Sequence, residues 1–272
     1  MEIITKSDDF NGKIVVITGS SSGIGAGMAV EFAKCGACVV VTGRNQDRVT
    51  AVANRCRAVS TLLTTTTTTV LPIVANICLE ADCQLLVNKT VQTYGRIDIL
   101  INNADCPDSC QLLDPMFNEK LYQLLDIELR ATVRLTQLSV PYLEKSIFGG
   151  NIINISANIC THSMVSMHST AKSALQMYSK CAAAGLAFRG IRVNVVVVCV
   201  INTETMSDYG ITNDGLANYA ARLPVRRVGQ IGDVWSAVSY LSSTREAGFV
   251  TGSTVRVVGG EHVAHVFVEQ YL

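Results

Sequence analysis

His168 and Lys172 stand four residues apart in the stretch MHSTAKSAL, which spans residues 167–175. On a helix, side chains four positions apart lie on the same face. An imidazole beside a lysine can form a proton-transfer site, because imidazole titrates near neutral pH. A histidine that merely packs against the stem of the lysine has the same spacing. The pattern leaves both interpretations open, and the surrounding elements must decide between them.

A glycine-rich turn is the second candidate for chemistry. The stretch TGSSSGIG at residues 18–25 follows a β-branched run and precedes an apolar-periodic helix. Glycine adopts backbone conformations that other residues resist, and it leaves room for a phosphate close to the main chain. The N-terminus of the helix also favours an anion. We therefore predict a phosphate-binding turn for a dinucleotide, formed by Gly19, Ser21, Ser22, Gly23, Ile24 and Gly25.

The end of the second predicted strand indicates which dinucleotide binds. An acidic residue at this point would bind the ribose 2′-hydroxyl of NAD. The sequence instead reads Thr42-Gly43-Arg44-Asn45, without a carboxylate. The guanidinium of Arg44 can form paired hydrogen bonds with a 2′-phosphate. We predict NADP(H) rather than NAD(H), with a solvated surface arginine as the alternative.

Composition narrows the class of protein. The chain has 272 residues, of which 49% are hydrophobic and 16% charged, with 22 basic and 22 acidic residues. This balance gives no electrostatic reason to expect nucleic acid or an acidic membrane as a partner. The start of the chain lacks a secretory pattern, and the longest apolar run, residues 195–201, is too short to cross a bilayer. We expect a soluble, intracellular, cytoplasmic protein.

The ten cysteines are scattered among apolar segments rather than framing short loops. Such cysteines are typical of buried, reduced thiols. Cys35 and Cys38 form one close pair, and Cys106 and Cys110 form another with a different spacing. Zinc sites usually show two pairs of matching spacing. We therefore predict no metal site.

Strand and helix patterns alternate along the whole chain without a linker, which predicts one domain over residues 1–272. The expected fold is α/β, a doubly wound Rossmann-like domain with a mostly parallel sheet of about seven strands and helices on both faces. Predicted strands are 13–18, 37–42, 71–75, 97–101, 151–155, 193–200 and 253–258, and predicted helices include 45–59, 79–94, 117–145, 167–188 and 233–242.

Two segments do not fit this alternation of strands and helices. Six consecutive threonines at 64–69 fit either an edge segment or a loosely ordered insert, and we favour the insert. Residues 202–223 are polar, and we expect an irregular substrate loop there.

Taken in order, these motifs resemble the short-chain dehydrogenase/reductase family over nearly the whole chain. The matching segments are TGSSSGIG at 18–25, TGR at 42–44, GRIDILINNA at 95–104, GNIINIS at 150–156, IRVN at 191–194, PVRRVGQIGDV at 224–234 and TGSTVRVVGG at 251–260. The resemblance implies hydride transfer between NAD(P) and a small carbonyl or alcohol compound.

The resemblance also implies an Asn–Ser–Tyr–Lys catalytic set, which this chain departs from. Lys172 keeps the lysine position, but His168 stands at the tyrosine, Ala157 at the serine and Glu128 at the asparagine. In the family, the tyrosine exchanges the proton, the lysine lowers its pKa and binds the nicotinamide ribose, the serine orients the substrate oxygen, and the asparagine supports a proton-relay water. The segment 156–172 therefore matches a degenerate active site.

The resemblance also implies further cofactor contacts, at the positions that match those of the family. The family's contacts would fall here on Asn76, Asn103, Ala104, Lys172 and Thr203, with Asn76 replacing the usual adenine-contacting aspartate. Asp105 stands where the family has glycine, beside the expected cofactor path. Val198-Cys199 replaces a Pro-Gly pair before the substrate loop.

The retained and substituted residues are compatible with three functions. The first is an NADP(H)-binding protein with weak or absent oxidoreductase activity, because Ala157 offers no donor and the phenol is missing. The second is a working carbonyl or alcohol oxidoreductase that uses His168 or water as proton donor. The third is a structural partner of an active relative. By resemblance, the helices near 117–145 and 167–188 would pair in a homodimer or homotetramer.

Overall fold

The computed structural model describes residues 9–63, 69–106, 110–159, 166–204, 206 and 212–263. Seven strands form a single parallel sheet in the order β3-β2-β1-β4-β5-β6-β7. They are β1 Ile14–Ile17, β2 Cys38–Gly43, β3 Val70–Val74, β4 Ile99–Asn102, β5 Gly150–Ala157, β6 Ile191–Val198 and β7 Thr254–Val257. The predicted parallel α/β sheet is confirmed.

Helices cover both faces of the sheet. The α-helices are α1 Gly23–Lys34, α2 Gln46–Leu63, α3 Glu80–Tyr94, α4 Phe117–Leu125, α5 Ala131–Leu143, α6 Ser166–Leu186, α7 Asn213–Arg222, α8 Ile231–Ser242 and α9 Thr244–Ala247. One core lies between the sheet and α1, α2 and α8, and a second lies between the sheet and α3, α5 and α6. Within the described ranges, no helix is both long and apolar enough to cross a lipid bilayer.

The strands read as continuous apolar runs because both of their faces are buried. In β1, Val15 and Ile17 belong to the core on the α1 side, whereas Val16 belongs to the opposite core. This alternation is the two-residue period of a strand.

The strand order reverses around β1, which lies between β2 and β4. In open parallel sheets, such a reversal forms a crevice at the carboxyl ends of the strands, and ligands bind there. Because all seven strands are parallel, the segments that follow β1 to β6 meet at this one edge. Every predicted site residue except Glu128, His168 and Lys172 lies in or beside one of these segments.

The predicted helix over 117–145 is wrong in detail. Residues Asp126–Arg130 form a π-helical turn between α4 and α5, with the Ala131 N–H directed to the Asp126 carbonyl five residues back. Such turns recur at functional sites. A π turn inserts one residue per turn without changing residue type, so the apolar periodicity does not reveal it. The turn carries Glu128, whose side chain is buried.

The expectation of irregular structure throughout 202–223 is also wrong, because α7 occupies Asn213–Arg222. Thr212 caps this helix by accepting a hydrogen bond from the Gly215 N–H at 3.1 Å. No residue of the helix is fully buried, but Leu216, Tyr219 and Ala220 follow helical spacing and are half-buried, so the sequence did contain a signal for this helix. Helix α2 likewise runs past its predicted end at 59, and residues 64–68 of the threonine run lie outside the described residues.

The glycine turn after β1 is packed tightly against the end of β4. Gly19 has φ of +62°, and a Cβ there would lie 2.8 Å from the Cα of Ala104. A Cβ at Gly25 would lie 2.5 Å from both the Nδ2 of Asn103 and the Gly19 carbonyl oxygen. The same Asn103 Nδ2 donates to the Thr18 carbonyl at 2.9 Å. These two glycines are therefore required by packing inside the protein, before any ligand binds.

We predict that Gly25→Ala destabilises the protein by about 1–3 kcal/mol, because the methyl group collides with main-chain atoms that cannot move independently. Gly185→Ala is the matched control, since a Cβ at that helical position meets nothing within 4 Å. The control should be neutral or stabilising by up to about 1 kcal/mol. Urea denaturation measures both, and a Gly25→Ala protein as stable as the parent would contradict the packing.

Candidate active site

A cleft of about 790 Å³ opens at the carboxyl edge of the sheet. It collects most of the predicted site residues, namely Gly19, Ser21, Ser22, Gly23, Ile24, Arg44, Asn76, Asn103, Ala104, Ala157, His168 and Thr203. Three predicted residues do not line it. Gly25 lies behind the turn, and Lys172 and Glu128 are buried beneath the cleft. Most of the predicted site residues therefore meet at one cleft, whereas Lys172 is buried below its surface.

The N-terminus of α1 faces this cleft. Ser22, the residue that precedes the helix, has an extended backbone, and its side chain makes no capping hydrogen bond. No acidic residue stands in the first turn. The N–H groups at a helix start need acceptors, and the helix dipole favours negative charge there. This end of α1 can accept a phosphate group.

The serines of the turn have separate roles. The Ser20 hydroxyl donates to the Ile17 carbonyl at 2.7 Å and accepts from the Thr42 N–H at 2.9 Å, so it ties β1 to β2. Ser21 and Ser22 line the cleft instead. A Cβ at Gly43 would lie 2.3 Å from the Ser21 Oγ, so glycine at 43 lets β2 approach the turn.

Two arginines lie at the end of the cleft formed by β2. Arg44 directly follows the strand, and Arg48 lies one helical turn further on, in α2; both line the cleft. Asn45 starts this helix by accepting from the Arg48 N–H at 3.0 Å. Sequence reasoning missed Arg48. Its four-residue spacing from Arg44 was the available signal.

Lys172 and His168 form one group with two acidic side chains. Both lie on α6 and contact the same two carboxyl groups. The Lys172 Nζ lies 3.1 Å from the Asp105 Oδ2 and 3.7 Å from the Glu128 Oε2. The His168 Nε2 lies 3.5 Å from the Asp105 Oδ2 and 3.4 Å from the Glu128 Oε1. We call these four residues the reaction-centre cluster.

Burial differs sharply within the cluster. The Glu128 side chain is 0% exposed and that of Lys172 is 2% exposed, whereas those of His168 and Asp105 are 22% and 42% exposed. Neither carboxyl oxygen of Glu128 has a hydrogen-bond partner of ordinary geometry among the described residues. The lysine therefore sits in a closed space beside an acid, and the cleft reaches only the outer pair.

The pKa values of the two acids in the cluster are shifted in opposite directions. Burial raises the pKa of Glu128 to about 10, and the neighbouring Asp105 carboxyl acts in the same direction, although Lys172 opposes both. Burial also favours a raised pKa for Asp105, but the Lys172 ammonium and the nearby His168 and Glu128 outweigh it and hold the pKa of Asp105 well below its usual range. At neutral pH the cluster therefore holds ionised Asp105 and neutral Glu128.

The reaction centre lacks the serine and tyrosine hydroxyls of the family's catalytic set. Ala157 ends β5 and lines the cleft with a methyl group. The neighbouring Ser156 accepts a hydrogen bond from the Gln176 Nε2 at 3.0 Å, so its hydroxyl is tied to α6. The imidazole of His168 presents its Nε2 to the carboxyl groups of the cluster. No phenol stands at the position next to Lys172.

Sequence reasoning also missed a group of polar residues in the lining of the cleft. The Tyr219 hydroxyl of α7 donates to Glu261, and the Asn158 Nδ2 donates to the same carboxyl at 2.9 Å. Burial, and then the hydrogen bond to Glu261, raises the pKa of Tyr219. Cys199 lies beside them on the cleft wall. These residues are remote in sequence, and only the fold brings them together.

Comparisons with known proteins agree with this architecture. The chain matches a family model described as enoyl-(acyl carrier protein) reductase over residues 19–262. It is 31% identical to L-fucose dehydrogenase of Bos taurus over 262 residues, which cover 94% of this chain and 92% of that protein.

Solved structures give the same result. A short-chain type dehydrogenase/reductase from Mycobacterium marinum superposes with a TM-score of 0.83 at 27% identity, covering 94% of this chain and 98% of that one. A 7α-hydroxysteroid dehydrogenase, solved with NADH and 7-oxo glycochenodeoxycholic acid, superposes with a TM-score of 0.84 at 25% identity, covering 95% and 98%. The sheet order, the glycine turn and these matches together show that the chain belongs to the short-chain dehydrogenase/reductase family, whose members bind NAD(P)(H).

Proposed function

We propose that this protein binds NADP(H) in the cleft and exchanges hydride with carbonyl or alcohol compounds weakly or not at all. The observation that carries the proposal is the reaction-centre cluster. Asp105 and Glu128 engage both Lys172 and the Nε2 of His168, at the place where hydride transfer needs a free proton donor.

The dinucleotide half of the proposal rests on the cleft. The uncapped start of α1 suits the pyrophosphate, and Arg44 with Arg48 suits a 2′-phosphate, because guanidinium groups bind phosphate through paired hydrogen bonds. Asn76, Asn103, Ala104 and Thr203 supply further lining at the ends of successive strands. A small carbonyl or alcohol compound would enter beside Ala157.

The proposal of weak or absent catalysis rests on the residues that replace the family's catalytic set. A missing preorganised donor, here at Ala157, costs a few kcal/mol of transition-state stabilisation, and loss of the proton donor costs a further factor of about 10²–10⁴. The Lys172 ammonium is 3.1 Å from Asp105. A lysine held in that pair is drawn away from the ribose contact that its position in the family implies.

A second candidate is an active reductase that uses His168 as proton donor. It is favoured by one observation, which is that His168 lines the cleft at the tyrosine position. In this case the proton on the imidazole passes to the substrate oxygen while the hydride comes from the reduced dinucleotide. Turnover that is lost on His168→Ala would favour this candidate over the first.

We also propose a homodimer or homotetramer, as the family resemblance implies. Tyr122 on α4 and Met177 on α6 are 70% and 60% exposed, which fits helices that pair with another copy. An intracellular, cytoplasmic location stays a prediction from the cysteine usage of the chain.

Arg44→Ala should weaken NADPH binding about tenfold to a hundredfold and leave NADH binding within about twofold, because it removes only charge-assisted bonds to the 2′-phosphate. Fluorescence titration of the reduced dinucleotides measures both affinities. Arg245→Ala on α9, outside the cleft, is the matched control and should change neither. Equal losses for NADPH and NADH would contradict the proposed role of Arg44.

Restoring the family's residues should restore catalysis. The variant that combines Asp105→Gly, Glu128→Asn, Ala157→Ser and His168→Tyr should reduce at least one compound in a panel of diketones, quinones, retinoids and steroids. We expect a rate at least about 10²-fold above the parent, followed as NADPH oxidation. The same variant without His168→Tyr is the control, and it should stay near the parent because it lacks the phenol. Brisk reduction by the parent would overturn the proposal.

Glu128→Gln should flatten the pH dependence of stability. The pKa of Glu128 is about 10 in the folded protein, against about 4.3 in an unfolded chain. Between these values the folded protein keeps a proton that the unfolded chain releases, so stability falls as pH rises, by at most about 1.4 kcal/mol per pH unit. The advantage of the glutamine variant over the parent should therefore grow from pH 5 to pH 9 in denaturant titrations.

Asp233→Asn is the control for that experiment. The Arg227 hydrogen bond, followed by the Gln230 N–H, lowers the pKa of Asp233 to about 2. Its stabilising effect is lost only as pH falls from the unfolded value through about 2, below the tested range. Its stability curve should run parallel to that of the parent from pH 5 to pH 9. A parallel curve for Glu128→Gln would contradict the assignment of a neutral Glu128.

A further inference from the structure

We propose that Asp105, Glu128 and His168 form a binding site for a divalent transition-metal ion of the zinc type. Each offers one ligand atom, and these atoms lie within 4.8 Å of one another. The three residues come from separate elements, namely the segment after β4, the π-helical turn and the start of α6. This site goes beyond the proposed function, because it depends on neither dinucleotide binding nor turnover.

The distances within the group fit a metal better than hydrogen bonds. The His168 Nε2 lies 3.4 Å from the Glu128 Oε1 and 3.5 Å from the Asp105 Oδ2. Hydrogen bonds from nitrogen to oxygen span about 2.7–3.2 Å. In a tetrahedral zinc site with bonds of about 2.0–2.2 Å, neighbouring ligand atoms lie about 3.3–3.6 Å apart. The two distances from the imidazole therefore match the edges of such a coordination shell, and the two carboxyl ligand atoms lie within 4.8 Å of each other.

The state of Glu128 is the independent observation that points to a ligand. Its side chain is fully buried, and neither of its oxygens has a hydrogen-bond partner of ordinary geometry in the described parts of the chain; its polar contacts are the longer ones to His168 at 3.4 Å and Lys172 at 3.7 Å. Buried polar groups are almost always hydrogen-bonded or coordinated, because leaving them without a partner is costly. Its Oε1 is directed towards the imidazole and its Oε2 towards Lys172. A cation between Glu128, Asp105 and His168 would displace the proton of the neutral Glu128 carboxyl and give its Oε1 a short contact in place of the long one.

The ligand types indicate the class of ion. Imidazole suits zinc, iron and nickel, whereas calcium and magnesium prefer oxygen ligands alone. Asp105 and His168 both line the cleft, so an ion can enter from there. The same opening leaves a coordination position for water or a small molecule, as in zinc sites that have three protein ligands.

Lys172 is the competitor for this site. Its ammonium lies 3.1 Å from the same Asp105 oxygen that the metal would use. An ion that binds must displace this ammonium and meets its positive charge. Removing the charge with Lys172→Met should therefore tighten metal binding, whereas removing a ligand should weaken it. General attraction to acidic groups would give the same two signs. Loss of binding on His168→Phe, which removes a ligand but no acidic group, separates a coordination site from such attraction.

The test uses metal-stripped full-length protein without dinucleotide. Zn²⁺ is titrated calorimetrically, and Co²⁺ is followed by its visible absorption, which shows whether the ligands are nitrogen and oxygen or thiolate. We expect one ion per chain and no thiolate charge-transfer band. Glu128→Gln and His168→Phe should each weaken binding at least about 100-fold, since even outer-shell substitutions cost 10–100-fold. Lys172→Met should bind more tightly than the parent.

Glu261→Gln is the matched control, because Glu261 is a carboxylate of the same cleft outside the site. It should bind zinc like the parent. Circular dichroism confirms that each variant folds, and His168→Phe, at a partly exposed position, decides the outcome if Glu128→Gln does not fold. Absence of saturable binding by the parent, or binding that His168→Phe leaves unchanged, would overturn the proposal. Neither result bears on NADPH binding, so the proposed function is tested separately.

Discussion

The contact between the Lys172 ammonium and the carboxyl groups of Asp105 and Glu128 constrains the rest of the reaction centre. Charges taken out of water must be paired, and removing one partner of a buried pair is strongly destabilising. A lysine that is 2% exposed needs a counter-ion, and the ionised Asp105 supplies it at 3.1 Å. With that pair in place, Glu128 is left beside a carboxylate in a space closed to water and takes the neutral form. The cluster is therefore an electrostatic unit in which the three substituted residues depend on one another and on the retained Lys172.

The two halves of the cleft depend on different parts of the chain. The proposed phosphate site uses the backbone of the turn and the start of α1, where packing against Ala104 and Asn103 already demands glycine at 19 and 25. Proton transfer uses side chains alone, and these can change without disturbing the sheet. A family member can thus keep its dinucleotide cleft while its chemistry changes, which agrees with the general independence of fold and function.

The sequence was sufficient to predict the sheet, because its strands are buried on both faces and therefore consist of continuous apolar runs. It also predicted that the candidate residues lie close together, since the ends of parallel strands share one edge. The π-helical turn at Asp126–Arg130 was not predicted, because it lies within one long amphipathic pattern. Helix α7 was also not predicted, because the segment is mostly polar, although Leu216, Tyr219 and Ala220 follow helical spacing. The contacts of Asp105 with Lys172, and of Tyr219 with Glu261, join residues far apart in the chain, and residue types alone do not reveal such pairs.

A crystal structure of the protein with NADPH tests the central claim, that the dinucleotide cleft is intact while the acids retain the lysine. We expect the pyrophosphate at the start of α1, the 2′-phosphate beside Arg44, and the Lys172 Nζ still paired with Asp105. An empty cleft in crystals grown with saturating NADPH, or a Lys172 ammonium turned from Asp105 to the nicotinamide ribose, would contradict it.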